Sequence, residues 1–239
     1  HFIHKYARPG SRIVDIGGGP GRYALALAQV AHEVTLVDIA SGLLDRARAE
    51  MMAHGLAPAG RLYERNAKDL HGLPDDHFDL TLLLGPLYHL VEAEERGRAL
   101  QEAIRVTRPG GYLFSAIITR HAFLRDALTC PPEEMRQNLY QREAACDELL
   151  RTGVNTGAAG FTRSYFAPLE EIPARYRAAG IEMVEAFTCE GVAAGLDEKI
   201  NALVDNEETW RRLLKLLVAT AADPELLGAG EHAVFVGRK

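Results

Sequence analysis

The sequence predicts an α/β fold: a mostly parallel sheet with helices on both faces, and a helical insertion late in the chain. Three observations carry this expectation. Short apolar runs alternate with amphipathic stretches over the first half of the chain, the pattern of parallel strands joined by helical crossovers. The first run, Arg12-Ile13-Val14-Asp15-Ile16, stops at a cluster of glycines, as a buried strand does before a tight turn. The alternation then breaks after Thr119.

In order, Gly21 to Ala31 carries Ala24, Leu25, Leu27, Ala28 and Val30, a helix whose small residues allow close approach to a sheet. Glu33 to Val37 predicts a second strand ending at Asp38. Ser41 is the expected N-cap of a helix to about His54, with Leu43, Leu44, Ala47 and Met51 at helical spacing. Arg61 to Glu64 is a weaker third strand and Phe78 to Leu84 a strongly apolar fourth. Glu92 to Thr107 is an amphipathic helix, and Pro109-Gly110-Gly111 a turn into a fifth strand, Tyr112 to Ile118.

From about His121 to Thr152 the pattern is helical, with Pro131-Pro132-Glu133-Glu134 starting the second helix. Gly153 to Gly160 is Gly/Ala-rich and predicts a flexible loop. A helix from Leu169 to Ala179, a strand from Ile181 to Phe187, a helical stretch from about Leu196 to Ala222 and a short strand from Ala233 to Gly237 complete the chain. The expected organisation is a core over 1–120, a mostly helical cap over 121–168 and a return to the core sheet over 169–239.

Composition narrows the function. With 47% apolar residues in 239, the chain can bury a sizeable core. No apolar run approaches the roughly 20 residues that span a bilayer, and His1 to Lys5 leads into Tyr6-Ala7-Arg8-Pro9, so no secretory signal and no membrane partner are expected. The net charge of −6, without a basic run, argues against nucleic acid as a partner. Cys130, Cys146 and Cys189 are odd in number and lack C-x-x-C spacing, which points to a reducing cytoplasm and to no structural metal. Nothing in the sequence sets an oligomeric state.

The chemistry lies in two motifs. Asp15-Ile16-Gly17-Gly18-Gly19-Pro20-Gly21 sits at a strand-to-helix turn, where glycines let the backbone turn sharply and a ligand come close. Its spacing is G-x-G-x-G. A dinucleotide fingerprint needs its third glycine where this chain has Arg22. A carboxylate just before the loop, Asp15, also suits a ligand carrying an ammonium group better than one carrying phosphates. Asp38, at the end of the next strand, is placed to accept hydrogen bonds from both hydroxyls of a ribose.

These residues resemble the class I S-adenosylmethionine-dependent methyltransferases, over roughly Ser11 to Ile118. Val14 to Gly21 looks like their first motif and Val37-Asp38 like their second. Asn66-Ala67-Lys68-Asp69-Leu70 resembles the segment along the adenine, Phe78-Asp79 through Gly85-Pro86-Leu87-Tyr88-His89-Leu90 the fourth-strand motif, and Arg105 to Gly111 the turn into the fifth strand.

The resemblance implies a Rossmann-like seven-stranded sheet with its last strand antiparallel, and S-adenosylmethionine as cofactor. It places Gly17, Gly18 and Gly19 around the methionine part with Asp15 nearby, Asp38 at the ribose, and Asn66 and the backbone of Ala67 at the adenine; Gly21, Ile39, Leu84 and Gly85 complete the expected cofactor site. Where the family usually has Asp, Asn66 would have to use its amide oxygen.

Because a sulfonium methyl is already activated, such a site mainly aligns a nucleophile and excludes water. Its catalytic groups belong after the carboxyl ends of strands four and five, which places Gly85 to His89 and Thr119 to His121 there. His89, with an ordinary pKa near 6.5, is the first candidate base, and Tyr88 its neighbour; packing against the cap or cofactor is the competing role for both. His121 is a weaker candidate, and Asp79 is expected to be structural. Tyr165 and Phe166 are expected either to line an apolar wall or to be core.

The cap is the expected source of specificity for a small-molecule acceptor. Two other functions remain open: a cofactor-binding module of this fold without catalysis, and a nicotinamide-dependent dehydrogenase.

Overall fold

The computed structural model describes residues 1–56, 61–137, 142–157 and 162–239. The chain packs as two compact units, one of residues 1–116, 175–184 and 236–239, the other of 117–174 and 185–235. The second unit thus takes in 185–235 as well as the predicted insertion.

The first unit opens with a short helix that the sequence pattern did not announce, α1 (Phe2–Tyr6), followed by β1 (Arg12–Ile16), α2 (Arg22–Gln29), β2 (Glu33–Asp38) and α3 (Ser41–Ala53). It continues with β3 (Leu62–Glu64), β4 (Phe78–Leu83), α4 (Pro86–His89), α5 (Ala93–Val106) and the first part of β5 (Thr107–Thr119). β1 lies between two parallel neighbours: Ile13 pairs with Val34 of β2 and with Leu80 of β4. Ile13, Ile16, Leu36, Leu80 and Leu82 are fully buried, the near-continuous burial of parallel strands covered on both faces. α5 buries Ala99, Leu100, Ala103 and Val106 at helical spacing. Its buried Arg96 is satisfied by donating to the carbonyls of Leu90 and Val91 at 3.0 and 2.6 Å.

Two local expectations are corrected. Ala40, not Ser41, is the N-cap of α3, because the Ala40 carbonyl already accepts the first helical bond, from Leu44 N–H at 3.2 Å. Pro109-Gly110-Gly111 does not precede β5 but interrupts it. Phe78 pairs with Thr107 and Leu80 with Tyr112, so Arg108 to Gly111 bulge opposite Asp79 alone. Asp79 holds that bulge, accepting from the Arg12 backbone N–H at 2.8 Å and from Arg108 Nε at 2.5 Å. Burial would raise its pKa, but these donors and the two guanidinium charges outweigh it and hold the carboxyl below its ordinary value. The expected structural role fits this geometry.

In the second unit, α6 (Ala122–Thr129), α7 (Pro132–Arg136) and α8 (Glu143–Thr152) follow the end of β5, with α7 starting at Pro132 as its Pro-Pro-Glu-Glu motif predicts. Beyond the last residue paired to β4, Ile118 and Thr119 pair with Phe166 and Ala167 of β7 (Ser164–Ala167). β7 in turn pairs antiparallel with β6 (Val154–Asn155). The loop predicted from Gly153 therefore begins instead with a strand, too short for any periodicity to reveal; its residues 158–160 lie outside the described ones.

α9 (Glu171–Ala178) and β8 (Glu182–Thr188) come next. The single helical stretch expected over 196–222 is two helices, α10 (Asp197–Asn201) and α11 (Glu207–Thr220). The break has a local cause, for the Asn206 side chain caps α11 by accepting from the Thr209 N–H at 3.0 Å. The last strand, β9 (His232–Arg238), pairs with β5 and β8. It runs antiparallel to β5: Lys239 N–H donates to Gly111 O at one end and Thr119 N–H to Glu231 O at the other. Among the described residues the sheet has nine strands and is mostly parallel, seven as predicted and two, β6 and β7, from the later part of the expected cap, where no strand was predicted. No helix among the described residues is long and apolar enough to cross a membrane.

Candidate functional site

β1 delivers the chain to the glycine turn, and the turn is pinned to the end of β2. The N–H of Gly17 donates to Val37 O at 2.7 Å and that of Gly18 to the same carbonyl at 3.3 Å. Two glycines are required by contact. A Cβ on Gly17, whose φ is +69°, would stand 2.5 Å from Pro86 Cγ, and one on Gly18 2.3 Å from Asp15 Oδ2. Gly19 differs, since a Cβ there meets only Leu43 Cδ1 at 3.8 Å. That stretch of backbone is unobstructed by protein, and Gly21 closes the turn with φ +78° before α2.

Asp15 lies beneath this loop and is 1% exposed. Its Oδ2 is buried with no hydrogen-bond partner among the described residues, which costs free energy unless something cationic or hydrogen-bonding supplies the missing contact. Burial, with the Asp38 charge added to it and an Ala24 backbone N–H partly offsetting both, raises its pKa to about 7. A positively charged ligand group fits this oxygen. A phosphate is repelled by it.

Asp38 is buried at the end of β2 and already has two partners: Oδ2 accepts from Gly19 N–H at 2.8 Å and Oδ1 from Ala40 N–H at 2.9 Å. It therefore ties the glycine loop to the start of α3, a role that the sequence did not suggest. Each carboxylate oxygen retains a second lone pair, so hydroxyl donors can still be accepted. The next residue, Ile39, is 65% exposed, a bare apolar surface directly beside the acid.

Asn66 Oδ1 accepts from Lys68 N–H at 3.0 Å, and Asp69 Oδ1 accepts from His71 N–H at 3.1 Å. Both side chains thus build the turn around buried Ala67. The amide oxygen assigned to an adenine is partly committed to the backbone, because Asn, like Asp, readily forms such turns.

After β4, Leu84 and Gly85 are half-buried and lead into α4, which contains Tyr88 and His89. The Tyr88 and His89 rings lie 4.9 Å apart, tilted by 59°. His89 is exposed and makes no hydrogen bond among the described residues, while partial burial of the ring lowers its pKa. It is neutral and able to accept a proton at pH 7, but no second side chain orients it among the described residues.

In the second unit, the candidates after β5 fare differently. Thr119 is buried and donates to Gly230 O at 2.9 Å, and His121 is the exposed N-cap residue of α6. Tyr165 donates its hydroxyl to Glu171 at 2.6 Å. Phe166 lines a cavity with Ile118, Phe123 and Leu149. Glu231 and His232 share this cavity, and His232 Nδ1 pairs with Glu190 Oε1 at 2.8 Å. Sequence reading missed these three residues. The sequence signal was an acid–histidine pair, Glu231-His232, at the start of the last strand. Among the described residues no group of three or more His, Cys, Asp or Glu could hold a metal ion.

A family model described as a methyltransferase domain matches residues 13–111. The ubiquinone/menaquinone biosynthesis C-methyltransferase UbiE of Vibrio vulnificus is 30% identical over 120 residues, covering 49% of this chain and 45% of that protein. The match thus spans just under half of the relative's length. Among solved structures, an S-adenosylmethionine-dependent methyltransferase from Methanosarcina mazei covers 100% of this chain and 96% of its own, with 20% identity and a TM-score of 0.64. The [4+2]-cyclase SpnF covers 100% of this chain and 79% of its own, with 19% identity and a TM-score of 0.62. These two likenesses establish the fold, and the second shows that the fold alone does not fix a reaction.

Proposed function

From the match of residues 13–111 to a methyltransferase domain, we propose that the chain is a class I S-adenosylmethionine-dependent methyltransferase that transfers a methyl group in line to a small-molecule acceptor. One observation carries this reading beyond the fold: the buried, partnerless Oδ2 of Asp15 beneath an open glycine loop. S-adenosylmethionine has an α-ammonium group to meet that oxygen, whereas the pyrophosphate of a nicotinamide cofactor is repelled by it. Asp38 would accept the ribose hydroxyls through its remaining lone pairs, Ile39 would cover one face of the adenine, and the backbone at Ala67 would meet its edge.

When bound, S-adenosylmethionine supplies an activated methyl on a sulfonium. The chain's own residues then have to bind, orient and keep water out. Gly17 and Gly18 allow the loop to approach, Leu84 and Gly85 border it, and Tyr88 shapes the surface beside His89. His89, neutral at pH 7, is the group available to take a proton if the acceptor arrives protonated. The activity of the Vibrio relative, C-methylation in quinone biosynthesis, does not pass to this chain, because a match over 45% of that protein leaves the rest unaccounted for. Three free cysteines support the cytoplasmic expectation.

Isothermal titration of S-adenosylmethionine and of NAD, followed by transfer of a labelled methyl group to a metabolite extract, tests the proposal. Tight NAD binding without S-adenosylmethionine binding refutes it. Binding of S-adenosylmethionine with no labelled product from any extract favours the non-catalytic module instead.

A further inference from the structure

The second unit contains a cavity of about 270 Å³. Hydrocarbon makes up most of its wall, from Ile118 on β5, Phe123 on α6, Leu149 on α8 and Phe166 on β7. Pockets for small organic ligands start near 300 Å³, so the space suits a ring or short branched chain, not an extended lipid.

The polar groups that face it divide into satisfied and unsatisfied ones. The Asn155 amide donates to Thr162 O and to Ser164 Oγ, each at 3.3 Å, and accepts from Gly157 N–H at 3.1 Å. His232 is clamped by Glu190, which takes its Nδ1 at 2.8 Å and its backbone N–H at 2.9 Å. Burial opposes charge on the imidazole, but the Glu190 bond outweighs it and raises its pKa, so the positive charge that His232 gains is cancelled by Glu190. Arg142 has an interaction of its own, and Cys146 is a neutral thiol, its pKa pushed up by burial and then by Asp147.

Two carboxylates are left over. Among the described residues neither the Glu231 nor the Asp126 side chain makes a hydrogen bond or an ion pair. Burial raises the Glu231 pKa, as do Glu190, Asp126 and Asp197, with His232 opposing. An apolar cavity carrying two unpaired acids is complementary to one kind of molecule, an apolar body bearing a cation.

We propose that this cavity binds a small amine, a protonated ammonium group on an aromatic or branched hydrocarbon body, with Glu231 and Asp126 holding the ammonium and Phe123 and Phe166 the body. A small amine of this kind would be a candidate methyl acceptor only on the methyltransferase reading. The cavity's preference for cations does not depend on that reading.

Three probes with the same phenylethyl body test it on the intact chain by isothermal titration: 2-phenylethylamine, 2-phenylethanol and 3-phenylpropanoate. The amine should bind at least tenfold more tightly than the alcohol, and the carboxylate least. Glu231→Gln should reduce the amine's advantage at least fivefold with S-adenosylmethionine affinity unchanged. Because Glu231 is half-buried, the exposed Asp126→Asn variant serves as a second test that does not depend on core folding, and it should move the preference in the same direction. Equal binding of amine and alcohol, or an unchanged preference in both folded variants, overturns the proposal. Retained amine selectivity in a chain that fails to bind S-adenosylmethionine overturns the methyltransferase reading and upholds the cavity's chemistry.

Discussion

The pKa of Asp15 makes S-adenosylmethionine binding a pH experiment. The buried carboxyl titrates at about 7 in the free protein, while the ligand's α-amino group, ordinarily titrating at about 7.7 to 8.0, stays charged at lower pH. Only the ionised carboxylate pairs fully with that ammonium. Between pH 7 and pH 5 the ionised fraction falls from about one half to about one in a hundred, a loss of up to about fiftyfold in affinity, or about 2 kcal/mol. A protonated carboxyl can still accept a weak hydrogen bond, so the expected loss is at least tenfold. Titration at pH 7 in two buffers of different ionisation enthalpy should also show release of about half a proton on binding.

The same shift predicts the behaviour of the empty protein. With a folded pKa of about 7 against an ordinary 3.8, the folded state binds the proton more tightly. The stability associated with protonated Asp15 is therefore complete below about pH 4 and is lost as pH rises through 7. Asp15→Asn removes this loss, so at pH 8 the variant should be more stable than the parent, by an upper bound of about 4 kcal/mol. It should also bind S-adenosylmethionine at least tenfold more weakly, without pH dependence below 7. Affinity independent of pH from 5 to 7, with no proton release, would refute the pairing of Asp15 with the ammonium.

Asp38→Ala should weaken S-adenosylmethionine binding at least tenfold, about 1.4 kcal/mol. Because Asp38 also holds the Gly19 and Ala40 N–H groups, chemical denaturation should show a further loss of about 1–3 kcal/mol in stability; unchanged affinity in the folded variant contradicts the ribose assignment. Gly17→Ala, with its Cβ 2.5 Å from Pro86 Cγ, should destabilise the fold by more than about 1 kcal/mol, read from the same denaturation curve. Gly19→Ala has open space for its Cβ, so it should fold with a cost of about 1 kcal/mol yet lose ligand binding; a Gly19→Ala variant that binds normally places the ligand elsewhere. His89→Ala should reduce methyl transfer and leave cofactor affinity nearly intact in parallel rate and binding assays, and a full rate removes His89 as a base.

The parallel core and its ligand loop were legible in the sequence because both are encoded locally. β1, β2 and β4 announce themselves as continuous apolar runs, since strands covered on both faces need no polar side. The loop after β1 is readable because Gly17 and Gly18 answer to steric contacts at fixed spacing, and Asp15 and Asp38 sit at the strand ends that the crossover pattern aligns. Tertiary context decided the rest. Asp15 is an ordinary acid in the sequence, and only burial beside Asp38 leaves its oxygen without a partner and lifts its pKa. Asn66 and Asp69 were legible as site-adjacent residues, but their engagement with their own turn depends on backbone positions that composition does not specify.

The cavity lay furthest from what the sequence by itself determined. Its walls and acids come from β5, α6, α8, β7 and the start of β9, spread over more than a hundred residues. They converge because β9 returns antiparallel along β5 and β7 pairs beside its end. Local periodicity records which face of an element is apolar, but not which distant face it will meet. The sequence therefore determined the cofactor fold and the glycine loop, while only the tertiary structure set Glu231 and Asp126 unpaired in an apolar cavity.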